Sequence, residues 1–248
     1  MRTTRTTILA LSSALCLLTP VLRPLAARAQ TPPQIVAIVD QTPIIIEAPK
    51  PFIEVSRILP DAYAQRSAAA AAAGNRLLAW LIPALSLREQ LDTKTNEKAP
   101  RCRMLQVQSV KDMELVRYDA ASFKALRDET KANNGQSLPE IAEDTVEAIF
   151  GVLNLGQLGQ KAGGKKILGM ADLGPDSFTL CIAIGTEGSD QLGGRDVETS
   201  VTCVTYVLIK GKIIYLSVSG PEMTAKELRN AMRLTREWLT LLRDRNPR

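Results

Sequence analysis

Histidine is absent from the whole chain of 248 residues. Without it there is no Ser–His–Asp or Cys–His nucleophile system, no imidazole ligand for zinc, and no ordinary proton carrier near neutral pH. The residue types left that could do chemistry are a few cysteines, a glycine run with lysines, and scattered carboxylates. Cys102, Cys181 and Cys203 lie far apart, with no CxxC redox pair and no short-spaced couple to hold a metal. Residues 159–165 (GQKAGGK) fit the GxxxxGK phosphate loop, but Lys166 stands where Ser or Thr should hold magnesium. That loop needs a strand before it and a helix after it, so that the helix N-terminus faces the phosphates. Here the pattern predicts a helix before and a strand after, and hence a plain connection. Residues 185–198 (GTEGSDQLGGRDVE) gather Glu187, Asp190, Asp196 and Glu198 on a Gly-rich stretch. Their spacing is not that of an EF-hand, and a solvated hairpin loop is expected. Arg229, Arg233, Arg236, Arg243 and Arg245 sit beside Glu227, Glu237 and Asp244 and read as a solvated helix face, an acidic partner surface being the alternative. No catalytic, cofactor-binding or metal-ligating residue is assigned.

The first residues carry an address. Arg2 and Arg5 precede the uncharged apolar run 8–18, Pro20 ends it, and Ala27-Arg28-Ala29 offers the small–x–small pattern that a signal peptidase accepts before Gln30. The run is shorter than the ~20 residues needed to span a bilayer core. Leu15 before Cys16 argues against a lipoprotein, because a small residue belongs there. The expectation is a cleaved signal peptide over 1–29, no membrane span afterwards, and a periplasmic or secreted product. The net charge of +5 comes from 31 basic and 26 acidic residues. Removing Arg2, Arg5, Arg23 and Arg28 leaves 27 against 26, or +1, so the basicity belongs mostly to the signal. A nucleic-acid partner, which calls for a positive field, is not expected.

The elements that would position any site follow from periodicity. Residues 30–43 read as an extended, Pro-bearing lead-in, and 44–248 as one α+β domain. Ile44 to Ile46 begins a first strand and 52–58 (FIEVSRI) alternates as a second. Asp61 is expected to cap an alanine-rich helix over 62–73 that stops at Gly74-Asn75. A strand over 76–82, a short helix over 85–91 and a strand over 101–110 follow, then helices over 119–132 and 137–155. From Lys165 the texture turns to strands, with Lys210-Gly211 as a tight turn between the last two. Both faces of that last hairpin are apolar, as in a sheet covered on both sides. Thr224 and Glu227 form a capping box before a final helix with Leu228, Met232, Thr235, Trp238, Leu239 and Leu242 on one stripe. Trp80 and Trp238 read as core anchors. Hairpin-like strands with helices before, between and after them predict a central antiparallel sheet with helices packed on it.

That arrangement has a consequence for the cysteines. If strands 177–185 and 199–207 form a hairpin with a symmetric loop, Gly185 faces Thr199, and stepping back along both strands brings Cys181 opposite Cys203. A one-residue slip would put the two on opposite faces. After cleavage three cysteines remain, so one bridge can form and Cys102 would be left over. A Cys181–Cys203 disulfide and an unbridged pair of small buried side chains are both compatible with this pairing.

Residues 44–60 (IIIEAPKPFIEVSRILP), the strand 76–82 (RLLAWLI), and the closing hairpin and helix from YVLIKGKIIYLSVSG to REWLTLL over 206–242 resemble the PsbP/DcrB-like group of exported proteins. The resemblance implies an α/β/α sandwich around an antiparallel sheet, and an exported accessory or binding module without enzymatic activity. It carries no functional residue with it, because the matching positions are core positions. The expected role is therefore an envelope binding or accessory module, with an unidentified envelope protein or small ligand as its partner and no cofactor. The alternative is an envelope enzyme using carboxylate or Ser/Lys chemistry, betrayed by a serine–lysine or paired-carboxylate pocket.

Overall fold

Two tight turns set the strand registers on which the rest depends. Asp40 and Gln41 both take positive φ (42° and 63°), as do Lys210 and Gly211 (49° and 80°). Two successive left-handed residues make the type I′ turn, whose twist matches that of its flanking strands. The first turn joins β1 (Gln34–Val39) to β2 (Thr42–Glu47) in a two-stranded ribbon. The computed structural model describes residues 34–92, 102–134, 165–189 and 195–247.

The main sheet has seven strands: β3 (Phe52–Glu54), β4 (Asn75–Pro83), β5 (Met104–Val110), β6 (Lys165–Asp172), β7 (Ser177–Ser189), β8 (Arg195–Ile209) and β9 (Lys212–Ser219). Their order is β3-β4-β5-β9-β8-β7-β6, and every neighbouring pair is antiparallel. The helices are α1 (Pro60–Ala72), α2 (Ala84–Asp92), α3 (Lys111–Glu114), α4 (Ala120–Asn134) and α5 (Ala225–Arg245). This is the α+β class expected from the strand and helix pattern, an antiparallel sheet with helices packed on it.

One face of the sheet carries the larger core. Leu105, Val107, Cys181, Ala183, Cys203, Val207, Ile214 and Leu216 point to this face and meet Leu228, Met232, Trp238, Leu239 and Leu242 of α5. Each such large apolar side chain, fully buried, contributes roughly 1.5–3 kcal/mol. Thr224 caps α5 by accepting from the Glu227 amide at 3.1 Å, as the Thr–Glu spacing predicts. The β1–β2 ribbon joins the same core through Ala37, Val39, Ile44 and Ile46.

The opposite face is divided. At one end Leu77, Trp80 and Ile82 pack with Ala70 of α1 and Leu87 of α2, and the Arg66 guanidinium lies 4.7 Å from the Trp80 ring. At the other end Phe123 of α4 packs on Met170, Phe178, Leu180 and Ile213. Between them runs a polar strip in which Gln108 donates to Gln106 (2.8 Å) and Asn75 donates to Gln108 (3.1 Å). The expectation that both faces are covered thus holds in full only for the α5 side.

Several local expectations are corrected. The lead-in over 30–43 contains a paired strand, β1, so Ile44–Ile46 belongs to the second strand. The strand expected over 52–58 ends at Glu54, because the amides of Ile58 and Leu59 turn back to the Val55 carbonyl. Asp61 does not cap α1. Pro60, with its φ already set for a helix, occupies the first turn after Leu59, and Asp61 becomes a first-turn acid facing the helix dipole. Pairing of β7 with β8 continues to Ser189 and Arg195, so Glu187, Asp196 and Glu198 lie on strands and not in a loop. The signal segment with Ala27, Ala29 and Gln30, the helix expected over 137–155, Asp190, and all of the GxxxxGK run except Lys165 lie outside the described residues. Lys165 begins β6, a strand where a phosphate loop would need a helix.

Candidate functional site

The β1–β2 ribbon ends in an open edge, and its register decides what that edge offers. Pro43 has no N–H and cannot take part in a hydrogen-bonded pair, so Ile38–Pro43 is a non-hydrogen-bonded pair. Such pairs recur at every second position, which makes Val36–Ile45 another. Ile45 confirms it. Its amide donates to Asn246 Oδ1 (2.9 Å) and its carbonyl accepts from Asn246 Nδ2 (2.7 Å), on the side of β2 away from β1. The N–H and C=O of Val36 therefore also point away from the ribbon. Among the described residues no strand pairs with β1 on that side. The next carbonyl along, that of Ile38, accepts from the Arg76 guanidinium at 2.7 Å and closes one end of the edge.

Beside this edge lies a groove of about 570 Å³, within the size range of ligand pockets. Gln34, Ile35 and Val36 form one wall; Ile53, Glu54, Ser56, Arg57, Ile58 and Tyr63 form the other, and buried Leu78 contributes to the lining. Val36, Ile38 and Ile58 are 59%, 52% and 43% exposed. Large apolar side chains that stay in water next to a cleft mark an interaction surface more strongly than single ones scattered elsewhere.

The polar groups of the groove are Gln34, Glu54, Ser56, Arg57 and Tyr63. Glu54 accepts from the Ser56 amide (2.9 Å) and hydroxyl (2.7 Å), a local closure of the turn after β3 with both carboxylate oxygens engaged. Burial, and after it the charge of Glu54, pushes the Tyr63 hydroxyl above the ordinary tyrosine range, so it stays protonated at neutral pH. Among the described residues that line the groove there is no lysine, and Glu54 is the one carboxylate. Lys212, the buried lysine of the described core, donates to Asp40 (2.7 Å), Glu114 O (2.6 Å) and Val116 O (3.3 Å), and is held by the fold. A second recess, about 310 Å³, lies over the polar strip between Asn75, Gln108, Tyr206, Tyr215 and Ser217. Burial raises the Tyr206 and Tyr215 hydroxyls.

The residues singled out in sequence are dispersed. Cys181 and Cys203 face each other in the core, and burial, then the contact with Cys181, raises the Cys203 thiol well above its usual value, which suits neither a nucleophile nor an exposed sensor. Cys102 lies half-buried just before β5. Of the C-terminal arginines, Arg233 pairs with Glu237 along the helix, while Arg243 and Arg245 leave it to bind Asp176 and Glu47. Trp80 and Trp238 are 7% and 0% exposed, as core anchors are. Sequence reasoning missed the groove. The signal for it is the strand QIVAIV, apolar on both faces although a ribbon can bury only one.

No protein-family model matches the chain, and no curated protein matches it. Among solved structures it aligns with the Ran-binding protein Mog1p of Saccharomyces cerevisiae, at 13% identity over 82% of this chain and 86% of that one, with a TM-score of 0.28. A point mutant of Mog1 aligns at 13% identity over 82% and 87%, with a TM-score of 0.27. Likenesses at this level carry no argument about function.

Proposed function

We propose that the protein is an exported, non-catalytic binding module of the cell envelope that accepts an extended segment of a partner protein as an added strand on β1. The observation that carries this reading is the Val36 peptide, with donor and acceptor both turned out of the ribbon at the wall of an apolar groove. An unpaired edge is a template for another strand, and main-chain bonds supply affinity while alternate side chains supply specificity. The partner segment carries apolar side chains at alternating positions to meet Val36, Ile53 and Ile58, and an acidic residue within reach of exposed Arg57. Export is supported by the basic start, the apolar run and the Ala27-Arg28-Ala29 pattern before Gln30. The resemblance to the PsbP/DcrB-like group supports an accessory role. Among the described residues no helix is long and apolar enough to cross a membrane.

Photo-crosslinking residues placed singly at Val36, Ile58 and, as a control, Leu115 test the reading in intact cells. Leu115 is also apolar and exposed but is not among the residues that line the groove. A common adduct at Val36 and Ile58, mapped to one extended segment of an envelope protein and missing at Leu115, is expected. Equal labelling at all three sites, or adducts confined to cytoplasmic proteins, contradicts it.

A further inference from the structure

Cys181 of β7 and Cys203 of β8 are direct partners in the register, as the symmetric hairpin predicts. The type of pair matters, because only the closer, non-hydrogen-bonded kind brings Cβ atoms near the separation a disulfide needs. Three observations assign the type. The β8–β9 turn at Lys210-Gly211 makes Ile209–Lys212 the closing hydrogen-bonded pair, and alternation then gives Cys203 its backbone bonds with Val218 of β9. The Val201 carbonyl, on the same side of β8 as that of Cys203, accepts from the Gly220 amide at 2.8 Å, away from β7. On the other parity, the Leu208 amide donates to Asp176 at 2.9 Å, toward the β7 side. Cys181–Cys203 is therefore a non-hydrogen-bonded pair, and so is its neighbour Thr179–Thr205, whose hydroxyls meet at 3.0 Å.

The two Sγ atoms lie 2.7 Å apart, both residues are 0% exposed, and Met232 Sδ of α5 lies 3.4 Å from Cys181 Sγ. We propose that Cys181 and Cys203 become a cross-strand disulfide as the exported chain folds, closed before α5 docks over the pair. The bond rests on the export reading for its oxidising compartment. The oxidant is a disulfide, protein-borne or glutathione. One cysteine thiolate attacks it to form a mixed disulfide and expels one oxidant thiolate. The second thiolate then attacks the chain's own sulfur in that mixed disulfide, forming Sγ–Sγ and releasing the other oxidant sulfur. Two electrons and two protons pass from the cysteines to the oxidant, which leaves as two thiols.

The full chain, expressed in cells and fractionated, is alkylated under denaturing conditions before reduction and digested with trypsin. Cleavage after Lys166, Arg195 and Lys210 separates the cysteines into peptides 167–195 and 196–210. The expected product is these two joined, two hydrogens lighter than their sum. Reductant lowers the melting temperature of the protein by roughly 5–15 °C, while a Cys181→Ala/Cys203→Ala variant shows no further change on reduction. A processed chain in the envelope fraction with both cysteines alkylated overturns the bond and leaves export standing. An unprocessed chain in the cytoplasm with both alkylated overturns the export reading as well.

Discussion

The carboxamide of Asn246 pairs with the peptide of Ile45 as a neighbouring strand would, accepting its N–H at 2.9 Å and donating to its C=O at 2.7 Å. The same Nδ2 also donates to the Leu242 carbonyl at 2.8 Å, so one buried side chain ends α5 and closes the inner edge of β2. The ribbon is thereby fixed with its inner edge satisfied, while among the described residues no strand pairs with its outer edge at Val36.

Asn246→Ala should therefore destabilise the protein by about 1–3 kcal/mol, because it leaves buried backbone groups without partners. Asn246→Asp should fare no better: it keeps an acceptor for the Ile45 amide but turns a carboxylate toward two carbonyl oxygens. Denaturant unfolding measures both. Wild-type stability in either variant would show that Asn246 does not hold the ribbon.

Trp238 carries the centre of the α5 interface, 0% exposed and donating from Nε1 to the Glu47 carbonyl at 2.9 Å. Trp238→Ala should lose about 3–5 kcal/mol, the usual range for emptying an aromatic core site. Trp238→Phe keeps most of the apolar contact and should lose about 1–3 kcal/mol through the unpaired Glu47 carbonyl. Equal losses in the two variants would mean that ring packing contributes nothing beyond the hydrogen bond.

The final hairpin, the α5 stripe and its cap were legible because each rests on strict local rules: a two-residue turn, a period of 3.6, a Thr–Glu spacing. The Cys181–Cys203 pairing was legible because strand register is integer arithmetic once the hairpin is granted. The groove was not. Its edge is set by Asn246 returning to β2, a contact spanning 201 positions, and the one local sign, the two apolar faces of QIVAIV, does not say which edge of the ribbon stays unpaired. The start of α1 was misread for a simpler reason: Asp61 is a good cap residue, but Pro60 already fixes the first turn. The short β3 was misread because alternation in 52–58 cannot show that the Val55 carbonyl is claimed by a turn.

Tyr206 and Tyr215 give the fold an alkaline limit. Burial is the first cause of the raised value in both, so the folded protein holds their protons where an unfolded tyrosine, near pH 10, has released them. The stabilisation is complete below that unfolded value and is lost as pH rises toward the folded values. Stability should fall with increasing pH above about 10, with phenolate absorbance from these two residues appearing together with unfolding. Tyr215→Phe should flatten that fall. Phenolate signals from both residues at ordinary tyrosine pH in the folded protein would contradict the burial argument.

Amide hydrogen exchange at Val36 tests the central claim most directly, because it reads the one donor the strand-addition account requires. In the protein alone, the Ile35 and Ala37 amides, paired with β2, should exchange slowly and the Val36 amide fast. In the complex with the segment crosslinked at Val36 and Ile58, released and rebound as a synthetic peptide, the Val36 amide should slow by at least tenfold while Leu115 is unchanged. A Val36 amide that remains as fast in the complex as in the free protein would show that the partner does not add as a strand to β1.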